Sequence, residues 1–156
     1  MDLKKYKEDA IALLGEYHKR EAQVRLLEVE YRAMEQLTPG VRAVSYDQVS
    51  AHTNKIVSPV ENQVLRLPDD LDRIRRRIVL LKLQNQKIDV VLSAMTEPYR
   101  SLIQLRYIDM QPWTLVYPKC SGYSEEYVRG ELNDKALNMF VSVYYPETNH
   151  VGLFAE

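Results

Sequence analysis

The sequence predicts an all-α protein: a long helical hairpin with coiled-coil-like seams, followed by a C-terminal helix-turn-helix domain. Three observations lead there. Apolar residues recur at alternating spacings of three and four through residues 2–37 and again through 71–92, the repeat of helices that bury one seam. Two shorter apolar stripes lie between residues 95 and 137, on either side of a Gly122-Tyr123-Ser124 turn, and serine is a favoured helix N-cap. Breaks at Leu37-Thr38-Pro39-Gly40 and at Asp109-Met110-Gln111-Pro112 separate these blocks.

The first seam is Leu3, Tyr6, Ala10, Leu13, Tyr17, Val24, Leu27, Tyr31 and Met34, with Arg20 its one polar member. Leu14, Ala22 and Leu26 widen the stripe, so packing against more than one neighbour is expected. Gly15 lowers helix propensity without ending the helix, so a single helix is expected over residues 2–37. Pro39 cannot continue it, and Gly40 suits a left-handed exit. Residues 41–68 hold no sustained period, and 39–68 reads as an irregular connector. Ser58-Pro59-Val60-Glu61 approximates a capping box, which predicts a short helix from Pro59 to about Leu67. Pro68-Asp69-Asp70 then opens a second long helix with the seam Leu71, Ile74, Ile78, Leu81, Asn85, Ile88 and Leu92. Asn85 at a seam position either fixes the register of a partner helix, at a cost in stability, or faces solvent near a bundle end. A connector that turns the chain around makes the two long helices antiparallel.

Thr96 and Glu97 cap the next helix, with Pro98 in its first turn and Leu102, Leu105 and Ile108 on its apolar face. Trp113, Leu115 and Val116 open a short helix that Pro118 stops by Tyr117, because proline lacks a donor and pushes the preceding residue out of helix. Ser124 caps a third helix, striped by Val128, Leu132, Ala136 and Leu137. The run NMFVSVYY divides between extending that helix and turning into a strand. The organisation read from these elements is a helical arm over 1–94, a helix-turn-helix-like domain over 95–145 and a tail over 146–156.

The wording of the C-terminal block is more specific than its order. LIQLRYIDMQPW, then GYSEEYV and KAL, resembles the C-terminal half of the RinA/ArpU-type phage transcriptional regulators, and is similar to the last domain of bacterial sigma factors. The matching positions are Leu102, Leu105, Arg106, Tyr107, Ile108, Trp113, Gly122, Tyr123, Ser124, Val128, Ala136 and Leu137. Residues 44–67, VSYDQVSAHTNKIVSPVENQVLRL, also resemble the middle segment of that family. The resemblance implies a phage or prophage transcriptional regulator of the bacterial host's cytoplasm, which binds duplex DNA and touches RNA polymerase or another protein. Trp113 to Ser124 is about one residue longer than the family spacing.

In such a domain the third helix enters the major groove and its first turn faces the bases. Ser124, Glu125, Glu126, Tyr127 and Arg129 hold those positions, with Lys119, Lys135 and Arg100 as supporting phosphate contacts. Arg106 either joins them or is structural. On the second long helix Arg73, Arg76 and Arg77 share a sector that would reach phosphates or an acidic protein; the other reading is a solvated flank paired with Asp69, Asp70 and Asp72. Glu125, Glu126, Glu131 and Asp134 outnumber the bases Arg129 and Lys135 on the third helix. Phosphate neutralisation supplies much of protein–DNA affinity, so this surplus favours a second reading: a non-enzymatic helical protein whose acidic third helix binds a protein partner. The heptad seams are equally suited to self-association.

Composition excludes more than it assigns. A formal net charge of −1 over 156 residues announces no polyanionic partner, so DNA binding would rest on a local patch. The single cysteine, Cys120, excludes an intrachain disulfide and a Cys-cluster zinc site; it is read either as a thiol whose pKa the adjacent Lys119 lowers or, as is commoner, as an ordinary loop residue. No leader or membrane-length apolar run is read. His18, His52 and His150 lie on different elements, and Glu147 with His150 is the nearest thing to a metal half-site. Without a phosphate loop or nucleophile elbow, no enzyme, cofactor or metal is expected.

Overall fold

The computed structural model describes residues 2–37, 59–120 and 122–147, and among these every regular element is helical. The connector as far as Ser58, with the Ser58 cap, and most of the tail, with His52 and His150, lie outside the described residues. The elements are α1 (Leu3–Gly15), α2 (Tyr17–Leu37), α3 (Pro59–Ala94), α4 (Tyr99–Ile103) prolonged by a π turn at Gln104–Ile108, and α5 (Trp113–Val116) prolonged by a 3-10 turn at Tyr117–Lys119. The last are α6 (Glu125–Tyr127), a π turn at Val128–Leu132, and α7 (Asn133–Tyr144). None of the described helices is long and apolar enough to cross a membrane.

Several boundaries differ from those the sequence predicts. The helix expected over 2–37 is broken: α1 stops at Gly15, Glu16 leaves the helical region (φ −91°, ψ 2°), and α2 starts at Tyr17. A break frees backbone carbonyls, and Arg20 takes one of them, its Nη2 donating to the Leu13 carbonyl at 2.6 Å. At Pro68 the difference runs the other way, since the short helix expected to end at Leu67 and the long helix expected to open at Pro68 are one element, α3. A proline removes one donor, and the hydrogen-bonded turns on both sides carry the helix through it. The run NMFVSVYY extends the helix, forming the last turns of α7 as far as Tyr144, with Tyr145 outside it as the C-cap (φ −115°, ψ 81°).

The chain divides into two compact units, one of Met1–Glu21 with Leu83–Glu156 and one of Ala22–Lys82. The division at 94 read from the sequence falls inside the first unit, because the end of α3 shares its core. There Ile88, Val91 and Leu92 of α3 join Ala10 and Leu14 of α1, Leu102, Ile103 and Ile108, Val116 and Cys120, and the inner face of residues 128–141. Phe140, fully buried, is the largest side chain in it. Helix α1 packs on α7 and on the first π turn, and α4 packs on α7. Tyr17, Arg20 and Asn85 add a polar layer. Arg20 Nε donates to Asn85 Oδ1 (2.7 Å), Asn85 Nδ2 donates to the Tyr17 carbonyl (3.1 Å), and the Tyr17 hydroxyl donates to Asp89 Oδ1 (2.8 Å).

The second unit is thinner. Val24 and Leu81 are its buried apolar side chains among the described residues, with Leu27, Tyr31, Met34, Leu71, Ile74 and Ile78 half-buried. Within it α2 and α3 run antiparallel: Lys82 Nζ donates to Glu28 Oε1 at 2.7 Å, while earlier on α3 the Arg75 guanidinium lies 5.9 Å from the Tyr31 ring further along α2. Leu26, expected to widen the buried stripe, is instead 70% exposed, and Ala22 is exposed as well. Both fall on the side of α2 away from its seam.

Candidate nucleic-acid interface

Residues 96–144 position the candidate surface. The expected side-chain cap by Thr96 or Glu97 is not formed: Pro98 stands at the N-cap of α4, and the Glu97 carboxylate accepts instead from the side chains of the first turn, from Arg100 Nη2 at 2.8 Å and from the Ser101 hydroxyl. These donors, Ser101 first and then Arg100, hold its carboxyl below the usual range. Pro98 precedes α4, and the Glu97–Pro98 bond is cis. The π turn then ends at Asp109, whose N–H donates to the Gln104 carbonyl at 2.9 Å. Met110 takes the left-handed conformation (φ 54°), and Pro112 leads into α5.

Arg106 is occupied within this domain. Its Nη1 donates to the Gln111 carbonyl at 2.9 Å, and its guanidinium lies 4.8 Å from the Trp113 ring centre, a cation–π contact. Trp113 is itself half-buried against the core. The α-helix does stop before Tyr117, but a 3-10 turn over Tyr117–Lys119, with Pro118 inside it, prolongs it. Cys120 is fully buried there, and its thiol donates to the Val116 carbonyl at 3.5 Å. Burial, with Glu97 as a lesser cause, pushes the thiol's pKa up. Of the two readings of this cysteine, the inert one holds, because an apolar surround penalises the thiolate more than the neighbouring ammonium favours it.

Gly122 turns the chain with φ 79°. A Cβ there would meet nothing within 4 Å, so the requirement for glycine comes from the backbone conformation alone. Ser124 then caps α6 in extended conformation (φ −67°, ψ 153°), its hydroxyl accepting from the Tyr127 N–H at 3.3 Å. Val128, Leu132, Ala136 and Leu137 are all buried, as the stripe predicts. The Tyr107 hydroxyl donates to Asn133 Oδ1 at 2.8 Å, tying the first π turn to the start of α7.

The outward side chains are more balanced than their count suggests. Glu125 faces Arg129 (3.5 Å), Glu131 faces Lys135 (2.6 Å), and Asp134 takes Lys7 of α1 (2.6 Å). Glu131 holds the Lys135 ammonium's proton more tightly. Of the four acids, Glu126 has no cation against it among the described residues. Tyr127 packs on Tyr123 with ring centres 4.9 Å apart, both at the tip of the turn. Lys119 is exposed, and Arg100 is paired with Glu97.

The structure thus gathers Lys119, Ser124, Glu125, Glu126, Tyr127, Arg129 and Lys135 onto the turn and the helix it opens. Arg73, Arg76 and Arg77 belong to the other compact unit. Arg73 pairs with Asp70 at 3.2 Å, as the solvated-flank reading has it, while Arg76 and Arg77 are exposed without an ion pair among the described residues. Two partners were not legible in the sequence. Lys7 lies in the first helix, far in sequence from the acid it neutralises, and Asn133 carries no motif. Among the described residues no group of three or more His, Cys, Asp and Glu side chains is placed to hold a metal ion. No protein-family model, no curated protein and no solved structure matches this chain.

Proposed function

We propose that this protein is a transcriptional regulator of phage or prophage type, which reads duplex DNA through a helix-turn-helix formed by α4, α5 and the helix capped by Ser124. One observation carries the reading. The left-handed Gly122 and the Ser124 cap deliver a helix whose inner residues Val128 and Leu132 share one core with Val116 of α5 and Leu102 of α4. Three helices in that order, with a tight turn before the third, are what places a first helical turn in a major groove. The pairing of Glu125, Glu131 and Asp134 by Arg129, Lys135 and Lys7 supports it further, because paired carboxylates repel phosphate less than free ones. The antiparallel α2 and α3 make the structural hairpin in this reading, and its seams serve contact with RNA polymerase or self-association.

The same ion pairs support a second reading, a non-enzymatic interaction protein. Arg129 and Lys135 are engaged with carboxylates, while Glu126 and the Tyr123–Tyr127 pair stand outward, a surface suited to a basic protein partner.

A mobility-shift experiment separates the two. Duplex fragments from the protein's own genomic neighbourhood are titrated across a salt series. Regulator function requires a retained fragment, with affinity falling steeply as salt rises. Arg129→Ala should weaken that fragment by roughly 1–3 kcal/mol if Arg129 makes a bidentate base contact. Arg76→Ala with Arg77→Ala should weaken all duplexes alike and flatten the salt slope if these arginines touch phosphate. Absence of any shift at low salt, in the native chain and in Glu125→Gln/Glu126→Gln alike, rejects DNA reading. Capture of a partner that this double variant loses then establishes the interaction reading.

A further inference from the structure

His18 stands on α2 with its ring edge-on to Tyr17, the ring centres 5.5 Å apart. Its two nitrogens face carboxylates from different parts of the chain. Nδ1 is 3.0 Å from Glu21 Oε2, one turn along the same helix, and Nε2 is 3.0 Å from Asp109 Oδ1, at the end of the first π turn. A neutral imidazole carries one N–H, so it can donate to only one of these oxygens and must turn a lone pair on the other. An imidazolium donates to both.

Asp109 is in turn tied to the residues on either side of it. Its carboxylate also accepts from Gln104 Nε2 at 3.2 Å, and Gln111 Nε2 donates to its carbonyl at 3.4 Å. The Gln111 N–H donates to the Leu105 carbonyl at 2.9 Å, and the Gln111 carbonyl accepts from Arg106, the residue stacked on Trp113. A displacement of Asp109 is therefore passed to the start of α5.

We propose that His18 is a proton-operated clasp: as imidazolium it ties α2 to the Asp109 turn and holds the start of α5, and as neutral imidazole it releases one of its two carboxylates. The titratable groups against the ring are Glu21 and Tyr17 on its own helix and Asp109 on the turn. The hydrogen bonds to Glu21 first and Asp109 second raise the pKa of the ring above the ordinary imidazole value. A group whose folded pKa lies above its unfolded value contributes fully below the unfolded value, near 6.5, and loses that contribution as pH rises through the folded one. The clasp is thus closed in mild acid and opens on the alkaline side of an ordinary histidine. These contacts are independent of whether the chain reads DNA.

Trp113 is the only tryptophan, so its fluorescence in the full chain reports on the turn, while the His18 ring is followed by NMR between about pH 5 and 9. The ring should titrate above a free imidazole, and the Trp113 signal should step at the same midpoint. Asp109→Asn should move the ring midpoint down toward the ordinary value, and His18→Gln should abolish the Trp113 step. Glu21→Gln, on the solvent side of α2, should also lower the midpoint and serves if Asp109→Asn does not fold. A ring midpoint unmoved by both carboxamide variants, or a Trp113 step that survives in His18→Gln, overturns the proposal.

Discussion

Arg20 and Asn85 are the two residues that interrupt otherwise apolar seams, and they interrupt them at the same level. Each is the other's partner in the first unit, and together they close the carbonyls of Leu13 and Tyr17. Burial pulls the Arg20 pKa below its ordinary value, against the weaker opposing effect of Glu16, whose carboxylate is 3.9 Å away. Such a pair contributes little net stability but penalises any shift of register, since a slip strands a buried charge. Asn85→Leu should therefore cost about 2–3 kcal/mol, the penalty of leaving a charged donor without its acceptor. Adding Arg20→Leu should recover part of that loss in urea unfolding, and strictly additive costs would dismiss the pairing. Tyr17, beside them, has a pKa pushed up to about 12, by burial first and by its hydrogen bond to Asp89 second. Its neutral form is the one the fold retains. Its contribution is present below the unfolded value near 10 and disappears as pH rises through about 12. Tyr17→Phe should remove that alkaline component from the pH dependence of unfolding.

At the level of elements, the helix boundaries follow local chemistry wherever a side chain or a backbone angle settles them. Asp2 caps α1, accepting from the Lys4 N–H at 3.1 Å, and Ser124 caps α6. Loss of the second cap in Ser124→Ala should cost about 1 kcal/mol. Gly122→Ala should cost roughly 1–2 kcal/mol, the penalty of a left-handed residue with a Cβ, with no steric addition because the space beside it is open. Equal thermal midpoints for Gly122→Ala and the native chain would show that the turn relaxes instead. The two π turns are different in kind. Each adds a residue to the helical repeat at Gln104–Ile108 and Val128–Leu132. Ile103 is buried beside Leu102 just before the first, and Val128 and Leu132 of the second face the same core as Ala136 and Phe140.

For the whole molecule, burial is shared unequally between the two units. The first encloses an extended apolar cluster around Phe140, whereas the second has Val24 and Leu81 buried among the described residues and Leu26, Val29, Leu37, Val79 and Leu80 exposed. Apolar burial is the main favourable contribution to folding, at about 25 cal/mol per Å², so the second unit has the smaller reserve. Amides over 22–37 and 66–82 should exchange through partial openings well below the global unfolding free energy. Leu81→Ala should deepen that difference while leaving exchange near Phe140 unchanged. Phe140→Ala should cost about 3–5 kcal/mol and loosen the first unit. Uniform exchange across the chain would mean that the two units unfold as one.

The sequence by itself determined the helical class and the inner face of most helices, because a three-four spacing of apolar residues admits one way of keeping them from water. It also located the turn, since a left-handed residue calls for glycine and a helix start calls for a side-chain acceptor, and Gly122 and Ser124 supply both. It placed the breaks less well. Gly15 ends a helix that its propensity alone would allow to continue, and Pro68 lies inside one, because neighbours elsewhere in the fold decide whether a freed carbonyl or a missing donor is tolerated. Partnership was the tertiary structure's to decide. Lys7 with Asp134, His18 with Asp109 and Arg20 with Asn85 are each far apart in the chain, and the charge count along the third helix could not register that three of its four acids are answered, one from α1 and two from its own next turn. Pairings of this kind depend on which faces meet, and a one-dimensional period records that a face is buried without recording what lies against it.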